Sequence, residues 1–330
     1  MYSGLSFIRC QAPRKNITET VTSNRRGNRQ KAATLKKYFE IKPGLHALSY
    51  LLTYGFLTHL SKRAAKRKHR LFAQLSGSID RHILAEGYFE AGVLAVLDTF
   101  CRETGHTARM IDIGANIGNH TVGLAHVFAK VEAVEPHPVL FKVLEANVLD
   151  NNLGHVTCHN IGLAGEDGRG TLVESALEHG LSRIQERSKL SPEVFGLSSE
   201  QFGSQHSVNL FSAETFLQQF ADDMAKTFIK IDVEGMEEEI MRAIAPIIAN
   251  HRPLVGFEWF TRSQPGLARF VFEMEGFELW GIRAHDKGRS YLKRAREMLF
   301  SGRFYTLEKL DPDNLDEVYP LALMVPSRPG

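Results

Sequence analysis

The feature that most constrains the fold is a repeated alternation of short β-type runs with helical segments. Apolar runs rich in β-branched residues occupy 108–114, 130–136, 155–162, 227–235 and 253–259. Segments with helical periodicity lie between them, at 118–129, 138–152, 213–221 and 236–250. Because each parallel crossover must return over a face of the sheet, this pattern predicts a doubly wound, mostly parallel sheet with helices on both faces.

The remainder of the chain completes one α/β domain over residues 71–330. The runs FELWGI (277–282) and LALMVP (321–326) predict an antiparallel closing pair of strands. Residues 174–206 are rich in Ser and Glu and have little periodicity, so we predict an insertion or a lid there. Ligands of such a sheet are expected at the carboxyl ends of its strands.

The charge is divided unevenly between the first 70 residues and the rest. Residues 1–70 hold 16 Lys and Arg against two acidic residues, whereas the rest holds 24 against 36. Residues 1–44 lack hydrophobic periodicity, which predicts a basic, disordered arm. Residues 45–70 predict an accessory helix that is too short and too polar to span a membrane. This helix either packs on the main domain or rests on an anionic membrane surface.

The basic segment and the cysteines bear on partners and location. No aromatic-interleaved RNA motif accompanies the basic residues, so no specific nucleic acid partner is expected. A transit peptide remains an alternative for the first 30 residues. Cys10, Cys101 and Cys158 are too scattered for a disulfide framework or a zinc site, which favours a reducing compartment. We therefore expect a cytoplasmic protein, with peripheral contact to the inner face of a membrane left open.

A glycine-rich turn follows the first predicted strand, with Asp112, Gly114, Asn116 and Gly118 at alternate positions. Glycines let the backbone approach a ligand closely, and the following helix offers free amides. The spacing is GxxxG instead of the GxGxxG of dinucleotide sites. The preceding acid repels phosphate but suits the ammonium and sulfonium charges of S-adenosylmethionine. Glu135 follows the second strand, where a carboxylate can accept both ribose hydroxyls.

Acidic residues also cluster where two later strands end. Asp232 and Glu234 alternate along IKIDVEG, and Glu258 ends the neighbouring run GFEW. We predict Asp232 as base or substrate anchor, with Glu234 and Glu258 as its partners. Lys230 is expected to pair with nearby acids. No metal site is assigned, although a divalent ion among these acids is an alternative to a carboxylate base of raised pKa.

Four blocks of this sequence resemble a known family. MIDIGANIGNHTVGLA, VEAVEPHPVLFKVLEANVLDNNL and IKIDVEGMEEEIM resemble the signature blocks of the FkbM-type S-adenosylmethionine-dependent methyltransferases. SIDRHILAEGYFE, which ends at Glu90, resembles the lead-in of that family, so the resemblance covers residues 78–282. It implies a class I methyltransferase (Rossmann-like) fold, with a seven-stranded sheet that is mostly parallel and has an antiparallel last strand.

The resemblance also implies roles for individual residues. It implies that the methionine end of the cofactor is lined by Asp112, Gly114, Asn116 and Gly118. Glu135 would hold the ribose, and Asn160 and Gly162 would lie beside the adenine. By the same pattern Glu90 could reach the cofactor pocket.

The resemblance implies methyl transfer to a hydroxyl of a sugar or another small molecule. We therefore predict an S-adenosylmethionine-dependent O-methyltransferase that acts on a sugar, glycan or similar polar small molecule. The alternatives are a non-catalytic protein that binds S-adenosylmethionine and, disfavoured by the glycine spacing, an NAD-linked oxidoreductase. His120, at the start of the first helix, is either a further base or a packed side chain.

Overall fold

The computed structural model describes Tyr54, Thr58 and residues 69–72, 82–83, 86–175, 182–188, 202–285, 304–316 and 318–327. The predicted arm at 1–44 and most of the predicted helix at 45–70 lie outside these residues. Of that helix, Tyr54 and Thr58 are helical, and the Thr58 hydroxyl donates to the Tyr54 carbonyl at 2.7 Å. Within the described part of the chain, no helix is long and apolar enough to cross a membrane.

Seven described α-helices and twelve strands make up the ordered framework. The helices are α1 (Ala91–Thr104), α2 (Asn119–Leu124), α3 (Pro138–Asp150), α4 (Ala213–Gln218), α5 (Glu237–Ala243), α6 (Ala245–His251) and α7 (Pro265–Glu273). The first six strands are β1 (Arg109–Ile113), β2 (Lys130–Val134), β3 (Val156–His159), β4 (Gly162–Ala164), β5 (Gly168–Ser175) and β6 (Ser182–Ile184). The others are β7 (Phe202–Ser212), β8 (Thr227–Ile231), β9 (Leu254–Phe260), β10 (Phe277–His285), β11 (Phe304–Lys309) and β12 (Val318–Pro326).

Eight strands form the main sheet, in the order β11-β10-β12-β9-β8-β1-β2-β3. The strands from β9 to β3 pair in parallel, and β12 enters antiparallel between β9 and β10. The class I fold and the antiparallel closing pair are therefore confirmed. The predicted count of seven is one too low, because β11 adds an antiparallel edge strand beside β10.

Two predicted helices end early and one is divided. Helix α2 ends at Leu124 and α4 at Gln218, before the predicted ends at 129 and 221. The single helix predicted over 236–250 is two helices, α5 and α6, which meet at Ile244. Pro246 lies in the first turn of α6 and has no N–H to continue the hydrogen-bond ladder of α5, so a new helix begins at Ala245.

A second sheet, of four strands in the order β4-β7-β5-β6, lies in the chain between β3 and β8. The described parts of 174–206 belong to β5, β6 and β7, so this segment contributes to a sheet. Leu172, Ile184 and Leu210 on this sheet are buried together with Met236 and also line the cavity described below. The second sheet thus forms one wall of that cavity. A role as a moving lid stays a prediction.

The central strands explain why the β-type runs are almost continuously apolar. All five residues of β1 and all five of β8 are buried, because helices cover both faces of the sheet. Met110 packs in the cluster that contains α1, whereas Ile111 and Ile113 pack in the cluster that contains α5 and α6. Polar side chains inside these strands, Asp112 and Lys230, are therefore exceptions that require partners.

Candidate active site

A cavity of about 410 Å³ opens at the carboxyl ends of the parallel strands. Its wall includes residues that follow β1, β2 and β8 and Glu258 near the end of β9, which is the edge where a doubly wound sheet binds ligands. One side of the cavity is built from the glycine-rich turn and Glu135. The other side carries the acidic cluster.

The glycine-rich turn brings the backbone after β1 against the backbone after β8. Gly114 has a φ of 82°, in the left-handed region, and its N–H donates to the Val134 carbonyl at 3.0 Å. A Cβ at this position would lie 1.8 Å from the Asp232 carbonyl oxygen. Only glycine fits there. Asn116 also has positive φ, at 54°, and lines the cavity as predicted.

Glu135 is buried directly after β2 and lines the cavity. Its carboxylate accepts the Asn116 N–H at 2.8 Å and the His137 N–H at 2.7 Å. Burial raises the pKa of Glu135 to about 7, although the same two N–H groups act to lower it. Since each carboxylate oxygen has two lone pairs, the group can still accept hydroxyl hydrogens from a ligand.

Asp112 does not line the cavity, contrary to the prediction from its place before the glycine turn. Its side chain is fully buried, accepts the Thr121 hydroxyl at 2.7 Å and lies 3.3 Å from the Lys230 ammonium. A buried lysine requires a counter-charge, and Asp112 supplies it from the neighbouring strand. Asp112 therefore acts on the cavity through Lys230.

Gly118 and Asn160 also lie outside the cavity wall, whereas Gly162 is part of it. Gly118 has a φ of 89° at the start of α2, and a Cβ there would lie 2.7 Å from Leu144. Its role is to let α2 pack on α3. Asn160 is exposed, and its amide donates to the Glu135 carbonyl at 2.9 Å. It therefore holds the Glu135 backbone, and its place beside the adenine stays a prediction.

The predicted acidic cluster is present on the opposite side of the cavity. Asp232, Glu234 and Glu258 all line it, and each offers a carboxylate oxygen within 4.8 Å of the other two. Because β8 ends at Ile231, Asp232 and Glu234 lie in the loop that follows it. Glu234 has a φ of 52°, a strained left-handed conformation that non-glycine residues rarely adopt outside functional sites.

Burial and mutual repulsion dominate the electrostatics of this cluster. Burial, followed by the charge of Asp232, raises the pKa of Glu234 and of Glu258 well above the usual value. Burial and then Asp232 also raise the pKa of Glu90 to about 7, with Lys230 acting in the opposite direction. These shifts favour the protonated forms of Glu90, Glu234 and Glu258.

Lys230 joins the acidic side of the cavity to β1. Its ammonium is buried, lies 3.0 Å from Asp232 and 3.3 Å from Asp112, and confirms the predicted pairing. Burial alone would lower the pKa of Lys230, but the carboxylates of Asp112 and Asp232 hold it above its usual value. The lysine is therefore a fixed positive charge.

Two residues outside the predicted catalytic set also line the cavity. Glu90 has a φ of 53° and reaches the acidic side, a position that only the family resemblance indicated. His120 is 9% exposed, and its Nε2 is buried without a hydrogen-bond partner among the described residues. Burial and then Lys230 lower the pKa of His120 to about 3, so this imidazole is neutral. A helix-face histidine carries no sequence signal that would have separated this position from a packed one.

Comparison with known proteins gives one family match. The family model of the methyltransferase FkbM domain matches residues 112–300. A sequence search of curated proteins found no match.

Several solved structures resemble this fold weakly. An FkbM methyltransferase from Methylobacillus flagellatus KT is 15% identical with a TM-score of 0.38, covering 84% of this chain and 60% of its own. This chain thus spans less than two thirds of that protein. A precorrin-6y C5,15-methyltransferase from Geobacter metallireducens GS-15 is 12% identical with a TM-score of 0.38, covering 78% of this chain and 94% of its own. A Streptococcus mutans protein in complex with SAH is 10% identical with a TM-score of 0.33, covering 65% of this chain and 97% of its own.

The family assignment rests on the domain match, which covers more than half of the 330 residues. It includes the glycine-rich turn, Glu135, the acidic residues that follow β8, and Glu258 of β9. The chain therefore belongs to the FkbM methyltransferase family.

Proposed function

We propose that this protein transfers the methyl group of S-adenosylmethionine to a hydroxyl of a sugar, glycan or similar polar small molecule. The observation that carries the proposal is the division of one cavity into two sides. Glu135 and the glycine-rich turn form the first, and the carboxylates of Glu90, Asp232, Glu234 and Glu258 form the second. The first side is complementary to the cofactor, and the second side is complementary to a hydroxylated acceptor.

The first side fits the cofactor. Gly114 leaves no room for a side chain, and Ala115 and Asn116 of its turn line the cavity. Glu135 presents a carboxylate for the ribose hydroxyls, and Gly162 lines the same wall. The cofactor would supply an electrophilic methyl group on a sulfonium. An oxygen nucleophile that attacks this methyl carbon displaces the sulfur as a neutral thioether.

The second side fits an acceptor that donates several hydrogen bonds. An alcohol is a poor nucleophile at neutral pH unless a base removes its proton. We assign this role to Glu90, because it lines the cavity and its pKa of about 7 matches the working range of a general base. Asp232, Glu234 and Glu258 anchor the acceptor through its hydroxyl groups.

The test is transfer of a labelled methyl group from S-adenosylmethionine to a panel of sugars, glycans and matched deoxy analogues. For an accepted sugar, Glu90→Gln should lower kcat by about 10²–10⁴-fold and leave cofactor affinity unchanged. Glu86→Gln is the matched control, because Glu86 is exposed four residues earlier. Equal kcat values for the two variants would contradict the role of Glu90. Methylation confined to nitrogen or carbon acceptors would overturn the O-methyltransferase assignment.

A further inference from the structure

We propose that Asp232, Glu234 and Glu258 form a binding site for one divalent cation of the Mg²⁺ or Mn²⁺ type. Their nearest carboxylate oxygens lie within 4.8 Å of one another. One ion bound by several oxygens at about 2.0–2.6 Å holds those oxygens roughly 3–5 Å apart. Carboxylates are ligands that hard cations prefer. The fold delivers them from two neighbouring strand ends, since Asp232 and Glu234 follow β8 and Glu258 belongs to β9.

Two of these carboxylates have neither a full set of hydrogen bonds nor a positive partner among the described residues. The Oε2 atoms of Glu234 and Glu258 are buried and have no hydrogen-bond partner among the described residues. No described Lys or Arg forms an ion pair with either one, and the buried ammonium of Lys230 is occupied by Asp112 and Asp232. Buried carboxylate oxygens are normally paired or bound to a metal.

A second and independent observation comes from α2. His120 is 9% exposed and lines the same cavity, and its Nε2 has no hydrogen-bond partner in the described part of the chain. An imidazole nitrogen on this wall can accept a hydrogen bond from water that the ion holds. The cavity therefore collects unsatisfied acceptors from three separate elements, and a hydrated cation would satisfy all of them.

A second group of candidate ligands, His137, Glu174 and His206, is less suited to a metal. The Nδ1 of His137 accepts the N–H groups of Val139 and Leu140 at 3.1 and 3.3 Å. Since a neutral imidazole with Nδ1 as acceptor carries its hydrogen on Nε2, the nitrogen that faces Glu174 has no lone pair for a metal. This group therefore serves as the control for the proposed site.

The role of the ion in catalysis rests on the proposed O-methyl transfer, whereas its binding does not. An ion at Asp232, Glu234 and Glu258 would bind the acceptor hydroxyl and make its proton more acidic. That proton would pass to Glu90, the carbon–oxygen bond would form, and the carbon–sulfur bond of the cofactor would break. The demethylated cofactor keeps the electron pair of that bond.

The experiment is titration of the full-length protein with Mn²⁺, followed by the electron paramagnetic resonance signal of free Mn²⁺. The wild type is expected to remove one Mn²⁺ per chain from solution. Glu258→Gln and Glu234→Gln should each weaken binding by at least about tenfold, since each removes a ligand charge without changing size. Glu174→Gln should bind as the wild type does. Circular dichroism and thermal melting check that each variant is folded, and Asp232→Asn replaces any variant that is not.

The outcomes separate this proposal from the proposed function. Absence of Mn²⁺ binding by the wild type, or equal binding by all variants, would overturn the site. Loss of binding in Glu174→Gln alone would move the ion to the other cluster and also overturn it. Because the readout is the Mn²⁺ signal, methyl transfer by a protein that binds no Mn²⁺ would leave the proposed function intact. A protein that binds Mn²⁺ as expected but methylates no hydroxyl would support the cation site and overturn the proposed function.

Discussion

The two sides of the cavity are stabilised in different ways. On the cofactor side, the glycine-rich turn is held by backbone hydrogen bonds to Val134, and both oxygens of Glu135 accept backbone N–H groups. On the acidic side, Glu234 and Glu258 each have a buried oxygen without a partner among the described residues. The carboxylate of the first side is thus satisfied by the protein itself, whereas the second side leaves two buried oxygens without a partner in the described part of the chain.

The two sides therefore differ in what determines the free energy of ligand binding. A backbone-built site is pre-organised and tolerates little change of shape, because a new atom meets main chain. A side built from unpaired carboxylates is held by the fold against its own repulsion, and ligand binding relieves that cost. Lys230 contacts both Asp112 of β1 and Asp232 after β8, so it couples the two sides.

The largest expected effect comes from removing that coupling charge. Lys230→Met should lower the free energy of unfolding by about 3–5 kcal/mol, because it removes the counter-charge of Asp112, which is fully buried, and of the half-buried Asp232. Urea unfolding measures the change. Lys142→Met is the control, since Lys142 is exposed and its pairing with Glu145 contributes roughly 0–1 kcal/mol. Similar losses in the two variants would show that the buried ion pairs of Lys230 contribute no more to the free energy of unfolding than an exposed pair does.

A smaller effect is expected from Gly114→Ala, which tests the rigidity of the cofactor side. The new Cβ would meet the Asp232 carbonyl and the residue would keep a positive φ, so we expect a loss of about 3 kcal/mol. Gly105→Ala separates the two causes, because Gly105 has a φ of 79° but no atom within 4 Å of its Cβ position. That control should lose only about 1–2 kcal/mol. Equal losses of unfolding free energy in the two variants would show that the close approach of the turn to the backbone after β8 contributes nothing to stability.

The sequence predicts well the parts of this architecture that local patterns determine. The central strands, the glycine-rich turn and the acids at strand ends follow from runs of a few residues. Strand β11 was missed because FYTLEK is a six-residue run of mixed polar and apolar residues inside a stretch that is otherwise mostly polar. So short a run carries no clear strand pattern of its own, and its pairing with β10 depends on the folded sheet.

Side-chain direction is the other limit on what the sequence predicts. Asp112 was expected to meet the cofactor, but it turns to a lysine contributed from 118 positions later in the chain. Glu234 lies after the end of β8, and its own left-handed conformation sets how it reaches the cavity. Both outcomes depend on partners that only the folded sheet brings together. The identity of the acidic cluster was predictable, whereas its geometry was not.

The smallest expected effect is a pH dependence that belongs to the cofactor side alone. In the free protein burial raises the pKa of Glu135 to about 7, with Asp112 and Asp232 adding to the increase. Ribose hydroxyls and a cationic ligand favour the ionised carboxylate. Below about pH 7, where Glu135 is mostly protonated in the free protein, binding of S-adenosylmethionine should therefore release its proton. Affinity should therefore rise about fivefold between pH 6 and 7 and then level off, as calorimetric titration would measure.

Glu135→Gln separates this effect from the other titrating groups of the cavity. The variant should bind the cofactor about tenfold more weakly at pH 8, and its affinity should no longer follow the Glu135 titration. Because the amide oxygen of the introduced glutamine would still accept a backbone N–H, the turn should stay folded, and Mn²⁺ binding on the acidic side should stay unchanged. A pH profile of unchanged shape in the variant would assign the proton to Glu90, whose pKa is also about 7, and not to Glu135.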